Sequence, residues 1–174
     1  MSPKDINILL YIAKKAEGID YYTLFKVLYF AEQLHLSTYG DCILDDEFHA
    51  LPYGPVPTAM YDDIKQLKNL SERGIQGALS NFFAIEEETK ISVLVQPDMD
   101  MLSESVIECI DESIEKNAHL GFTALKRKSH GPAWEAFHGK GVIPRQEIAK
   151  EVGASAEMLN YIQFTLDNRQ PILR

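Results

Sequence analysis

Apolar residues recur along this chain at two spacings, and the switches between them divide it into elements. Ser2-Pro3 offers a capping side chain and a first-turn proline, after which Ile6, Leu9, Leu10 and Ala13 return at helical intervals until Gly18 ends the run. This predicts an amphipathic first helix. From Tyr21 to about Leu36, apolar side chains fall on nearly every face (Leu24, Phe25, Val27, Leu28, Tyr29, Phe30, Leu34), as they do when a helix is surrounded by protein. That segment is the expected central helix. Tyr39-Gly40-Asp41 is turn chemistry, and the stretch from Ile43 to Leu51 reads as a short strand or hairpin. The prolines of Tyr53-Gly54-Pro55-Val56-Pro57 then predict an irregular reversal.

Beyond the reversal, Val56, Met60, Ile64, Leu67 and Leu70 form one stripe on a third helix that stops before Gly74. Two apolar runs, 82–85 and 91–95, flank Glu86-Glu87-Glu88-Thr89-Lys90 and predict a second hairpin. A long helix is expected over 101–120. Its Leu102, Val106, Ile110 and Ile114 point inward, and Glu104, Glu108, Asp111 and Glu115 make an exposed acidic face. Short helices follow at 122–128, 132–137 and 145–152, and a last one at 155–167. The fold class is mainly α: a compact helical domain around a central buried helix, with one or two short β-hairpins. No repeat, low-complexity tract or flexible linker divides the chain. Residues 1–174 therefore read as a single domain, with the helix pair of residues 144–167 packed on it.

Composition narrows the partners more than the fold. At 174 residues, 45% hydrophobic and 25% charged, the chain has the material for a core without a staple or a metal. Its net charge of −9 repels a polyanion, so nucleic acid is not the default partner. No apolar run reaches the ~20 residues of a membrane span. The opening MSPKDINILL also lacks the basic start of a secretory signal, and a cytoplasmic protein is expected. Cys42 and Cys109, far apart in sequence, read as free thiols.

Candidate chemistry is sparse. Cys42 with His35 or His49 is the one thiol–imidazole combination on offer, and no motif accompanies it; a hydrolase built on Cys42 or a histidine is the third functional reading. The histidines at 35, 49, 119, 130 and 138 lack zinc-site spacing, and Gly74 and Gly77 are isolated rather than part of a phosphate loop. No catalytic group, metal or cofactor is expected. Gln146 to Ser155, ahead of Leu159 and Ile162, has helix-turn-helix spacing, with Ala149 small, Gly153 at the turn, Ser155 as cap, and Ile148 and Val152 in the core. The second helix offers Ala156, Glu157, Met158, Asn160, Tyr161 and Gln163 and no Lys or Arg, so the unit reads as a structural pair. A helix-turn-helix DNA-binding regulator is kept as the alternative function. Lys126-Arg127-Lys128 is placed to complement a helix dipole.

Two aromatic, proline-containing segments remain, Glu47 to Pro57 and Ser129 to Glu135. Tyr53, His130 and Trp134 each join an apolar body to a polar tip, as residues of protein-binding hot spots do. Taken with Lys26 to Glu32, His35-Leu36, Gly40 and Asp45 to Phe48, the ordered pieces Tyr53-Gly54-Pro55-Val56 and Ser129-His130-Gly131-Pro132-Ala133-Trp134 resemble the Panacea domain, the SocA-like antitoxin family. The resemblance runs from about Ile6 to Ile148; Ala133 between Pro132 and Trp134, and the C-terminal helix pair, depart from the pattern. It implies a mainly helical antitoxin of bacterial and prophage toxin–antitoxin pairs. Such an antitoxin neutralises a cognate toxin protein by direct contact, and in some relatives delivers it to a protease. Family toxins are diverse and include small alarmone synthetases. The partner-binding positions implied are Tyr29, Phe30, His35, Phe48, Tyr53, Gly54, Pro55, His130, Pro132 and Trp134, with Gly40 also a motif position.

Overall fold

The computed structural model describes residues 1–168; residues 169–174 of the expected single domain lie outside them. Helix α1 (Pro3–Lys15) begins on a capping box in which Ser2 and Asp5 exchange side-chain and backbone bonds, and it buries Ile8, Leu9, Leu10 and Ile12. Helix α2 (Tyr21–Tyr39) starts where the Asp20 carboxylate accepts from the Thr23 N–H at 2.9 Å, and it ends at Gly40 in the left-handed region. It is buried along most of its length, and several of the later helices pack on it. Helix α4 (Glu104–Asn117) runs beside it so closely that the buried Ser113 hydroxyl donates to the Val27 carbonyl at 2.6 Å.

The first hairpin pairs β1 (Phe48–Leu51) with β2 (Gly54–Pro57), antiparallel, through a turn at Pro52-Tyr53. The expected irregular reversal is thus a strand, and the register explains it. Pro55 and Pro57 sit opposite Ala50 and Phe48, whose own N–H and C=O groups turn the other way: the Ala50 N–H donates to Gly141 O, and Phe48 O accepts from Ile143 N. Neither proline stands where the ladder needs a donor. Val56, assigned by spacing to the helical stripe, belongs to β2, and α3 (Thr58–Glu72) begins after it.

Residues 43 and 44 do not extend β1, because their N–H groups donate to the carboxylate of Glu32 at 3.0 and 3.3 Å. Glu32 is fully buried and also meets the Arg145 guanidinium at 2.8 Å. The second hairpin, β3 (Phe83–Glu86) with β4 (Lys90–Val93), lies against α1, and Ile91 N donates to Ile19 O. Helices α5 (Phe122–Ser129), α6 (Pro132–Phe137), α7 (Arg145–Glu151) and α8 (Ala156–Asn168) complete the described chain. In the α7–α8 pair Ile148, Ala149 and Ile162 are buried as expected, whereas Val152 is 42% exposed, since α7 ends one residue before it.

The long helix is shorter than its periodicity: Ser103 caps α4, and Met99–Met101 form a separate helical turn. The acidic face is also less free than the spacing implies. Asp111 accepts from the Tyr11 hydroxyl at 2.7 Å and pairs with Lys15, and Glu108 accepts from the Tyr39 hydroxyl at 2.9 Å. No helix among the described residues is long and apolar enough to cross a membrane.

Candidate functional site

The two aromatic segments meet. Trp134, on α6, donates its indole N–H to Leu51 O at 2.8 Å, and His138 bonds Ala50 O at 3.2 Å through Nδ1. The Trp134 ring lies between the imidazoles of His130, at 3.6 Å, and His138, at 4.3 Å, in two stacked contacts. The first turn of α6 is capped from a distance: Glu151, at the end of α7, accepts from Ala133 N at 2.9 Å, from Gln33 at 3.1 Å and from the Tyr29 hydroxyl at 3.4 Å. One carboxylate thereby ties α2, α6 and α7 together.

Beneath the hairpin lies Lys26. Its side chain is fully buried, and its amine donates to Pro55 O at 2.7 Å. Burial holds its pKa down at about 7, because the apolar surroundings disfavour the charged form. Gly54 makes room for it. At φ +102 its backbone suits glycine, and a Cβ there would sit 2.5 Å from Ser129 Oγ and 2.9 Å from the Lys26 amine. Tyr22, whose pKa burial and Asp20 push up to about 12, donates to Tyr53 O at 3.0 Å. The hairpin tip is thus pinned from below by two side chains of α2.

What the tip presents outward is aromatic. Tyr53 is 59% exposed and Phe122, at the start of α5, is 50% exposed. Their rings lie 5.8 Å apart, the Phe122 ring is 4.5 Å from that of Tyr22, and the Lys126 amine stands 5.2 Å above the Tyr53 ring. His130 lies beside this group with its pKa lowered by burial and then by Lys126, Lys26 and His138; its Nε2 is buried with no hydrogen-bond partner among the described residues.

The motif positions therefore divide by depth. Tyr29, Phe30, His35, Phe48, Gly54 and Pro55 are buried, His130 and Trp134 are half-buried, and Tyr53 and Pro132 are exposed. His35 is a tie between elements: Nδ1 donates to Asp41 O at 2.7 Å and Nε2 accepts from Ser105 Oγ at 3.1 Å. With both ring nitrogens engaged, it has none to offer Cys42. His49 is likewise bonded to Thr58 through Nδ1. The buried Cys109 thiol is pushed up to about 11 by desolvation and by Glu112, Glu108 and Glu32, against the direction a nucleophile needs. A cavity of about 380 Å³ between the approach to β1 and the α7–α8 pair is lined by Cys42, Leu44, Arg145 and Gln163, and its guanidinium is already paired with Glu32.

Reading by residue type does not find the buried Lys26 and Glu32, the half-buried Arg145 and Glu151 that bond to these elements, or the exposed Phe122. For Lys26 and Glu32 a signal was present: charged residues inside a helix apolar on every face are seldom buried unless they do a job.

The geometry is that of a helical scaffold that stiffens a short hairpin and displays aromatic side chains at its tip. The chain matches the model of the antitoxin SocA-like, Panacea domain over residues 24–135, and it belongs to that family. The match is narrower than the resemblance from about Ile6 to Ile148, beginning inside α2 and ending within α6, so α7 and α8 lie beyond it. No curated protein and no solved structure matches the chain.

Proposed function

We propose that this protein is a cytoplasmic antitoxin that neutralises a cognate toxin by direct protein–protein binding, with the hairpin tip and the α6 segment beside it as the contact. The observation that carries the reading is Tyr53, more than half exposed at the tip of a hairpin held by Lys26, Tyr22 and Trp134. A large aromatic held in place before binding loses little conformational freedom on contact, the property that makes such residues hot spots. In this reading Tyr53, Pro132, Trp134 and His130 face the toxin. Tyr29, Phe30, His35, Phe48, Gly54 and Pro55 hold the shape that presents them.

The test is co-expression with the product of the adjacent gene, scoring growth and co-purification, beside Tyr53→Ala with its fold confirmed by circular dichroism. Rescue and a stable complex with the wild type, both lost in the folded variant, are expected. A harmless neighbour that does not co-purify would overturn the reading. Toxin levels in the rescued cells separate blocking from protease delivery, since only delivery lowers them. A second reading, DNA binding, takes support from the α7–α8 geometry, where Ser155 Oγ accepts from Met158 N at 3.2 Å across the cap. Ala156–Asn168 carries Glu157 and Asp167 and no Lys or Arg, so retention on duplex DNA is expected to be absent.

A further inference from the structure

We infer that the face formed by Tyr53, Phe122 and Lys126, with the exposed Arg127 next to it, takes an acidic segment of the partner protein, its carboxylates over these cations and an apolar side chain against the two exposed rings. This rests on the antitoxin reading and adds the chemistry of the partner. The first observation is a charge imbalance. The chain carries −9, and ion pairs occupy Lys15, Lys68, Lys90, Lys116, Lys150 and Arg145. Lys26, Lys126, Arg127 and Lys128 meet no carboxylate at ion-pair distance among the described residues, although acidic side chains outnumber basic ones by 26 to 17; scattered cations such as Lys4, Lys65, Arg73 and Lys140 share this, but Lys126, Arg127 and Lys128 are consecutive.

The second observation is where these cations stand. Lys126 lies over the Tyr53 ring and Lys128 lies 4.7 Å from the Phe30 ring while bonding the Asn117 amide oxygen, so aromatic and amide groups take the place of counter-ions. Three cations in the last turn of an eight-residue helix exceed what its dipole needs. Placed beside the exposed Tyr53 and Phe122 rings, Lys126 with the exposed Arg127 next to it matches a segment that combines acid with apolar side chains. A polyanion would bring the same negative charge but meet the repulsion of the whole chain, and a protein segment brings it locally.

Two arms test this. In the first, the adjacent gene product is the probe, and its association with wild type, Lys126→Glu and Phe122→Ala is followed at low and high salt. Both variants change exposed or half-exposed side chains, and their folds are checked by circular dichroism. We expect wild-type binding, at least about tenfold weaker binding for each variant, and a smaller salt dependence for Lys126→Glu. Wild-type binding that both variants retain overturns the inference and leaves the antitoxin reading standing, whereas no binding by any form overturns that reading instead. In the second arm, a synthetic peptide alternating Glu and Leu, and its Lys–Leu counterpart, are titrated into nitrogen-15-labelled protein. Shifts at Tyr53, Phe122 and Lys126 with the acidic peptide alone are expected. Equal response to both peptides, response elsewhere, or stronger binding of duplex DNA at this face would overturn it.

Discussion

Lys26 enters the core with three donors and finds one strong acceptor, the Pro55 carbonyl, with the Tyr22 ring 5.1 Å away. That imbalance has a pH signature. The unfolded amine titrates near 10.5 and the folded one near 7, so between those values the unfolded chain holds a proton that the folded chain has released. Stability therefore rises as pH climbs from about 7 towards 10, and below 7 the full cost of the buried charge is present. The neighbours titrate outside this window: His130 is held below its ordinary 6.5 and Tyr22 is pushed up to about 12. Urea unfolding at pH 6.5 and 9.5 should show the wild type gaining stability with pH and Lys26→Met nearly level. At the lower pH the variant should be more stable by on the order of 1 kcal/mol, because an apolar side chain of similar volume replaces an unpaired buried charge. An unchanged slope in Lys26→Met would assign the pH dependence to other groups.

Between elements, the end of α2 and the body of α8 share one small space. A Cβ on Gly40 would collide with the Tyr161 ring and come within 2.9 Å of the Met158 sulfur, and φ +70 already disfavours any other residue. Gly40→Ala is expected to cost about 2 kcal/mol, part backbone strain and part displacement of α8. Adding Tyr161→Ala should recover the second part and leave about 1 kcal/mol, a coupling that a double-mutant cycle measures. The α2 segment is legible from apolar residues on every face, the start of α1 from the capping chemistry of Ser2-Pro3, and the chain reversal at Gly40 from its turn residues. The first hairpin was not legible in the same way. Its prolines look like strand breakers until the register shows that both face away from the ladder, and Val56 continues a helical spacing by coincidence. The candidate site was half legible. Its motif residues could be named, but burial separates Tyr29 and Phe48 from Tyr53, and burial depends on which helices close over them rather than on residue type.

Charge is unevenly used across the whole molecule. On α4, Asp111 and Glu108 are occupied by Lys15, Tyr11 and Tyr39, while Glu104 and Glu115 make no ion pair among the described residues. A basic toxin surface docking on this stripe would make those two carboxylates matter. With contact at the hairpin face instead, the pair Glu104→Lys and Glu115→Lys should change the association rate by less than about threefold at physiological salt, where charges beyond roughly 8 Å are screened. Stopped-flow association with the co-purifying partner checks this, and a tenfold loss would return the interface to α4. The Glu151 carboxylate has a consequence at the same scale. The family match ends at residue 135, yet the first turn of α6 and the polar ends of Tyr29 and Gln33 all lean on a residue sixteen positions further along. A graft cut at the boundary of the match would carry both signatures and lose their common acceptor. If the hairpin face is the contact, as proposed, a unit exchanged between relatives has to run through Glu151 to keep that face held.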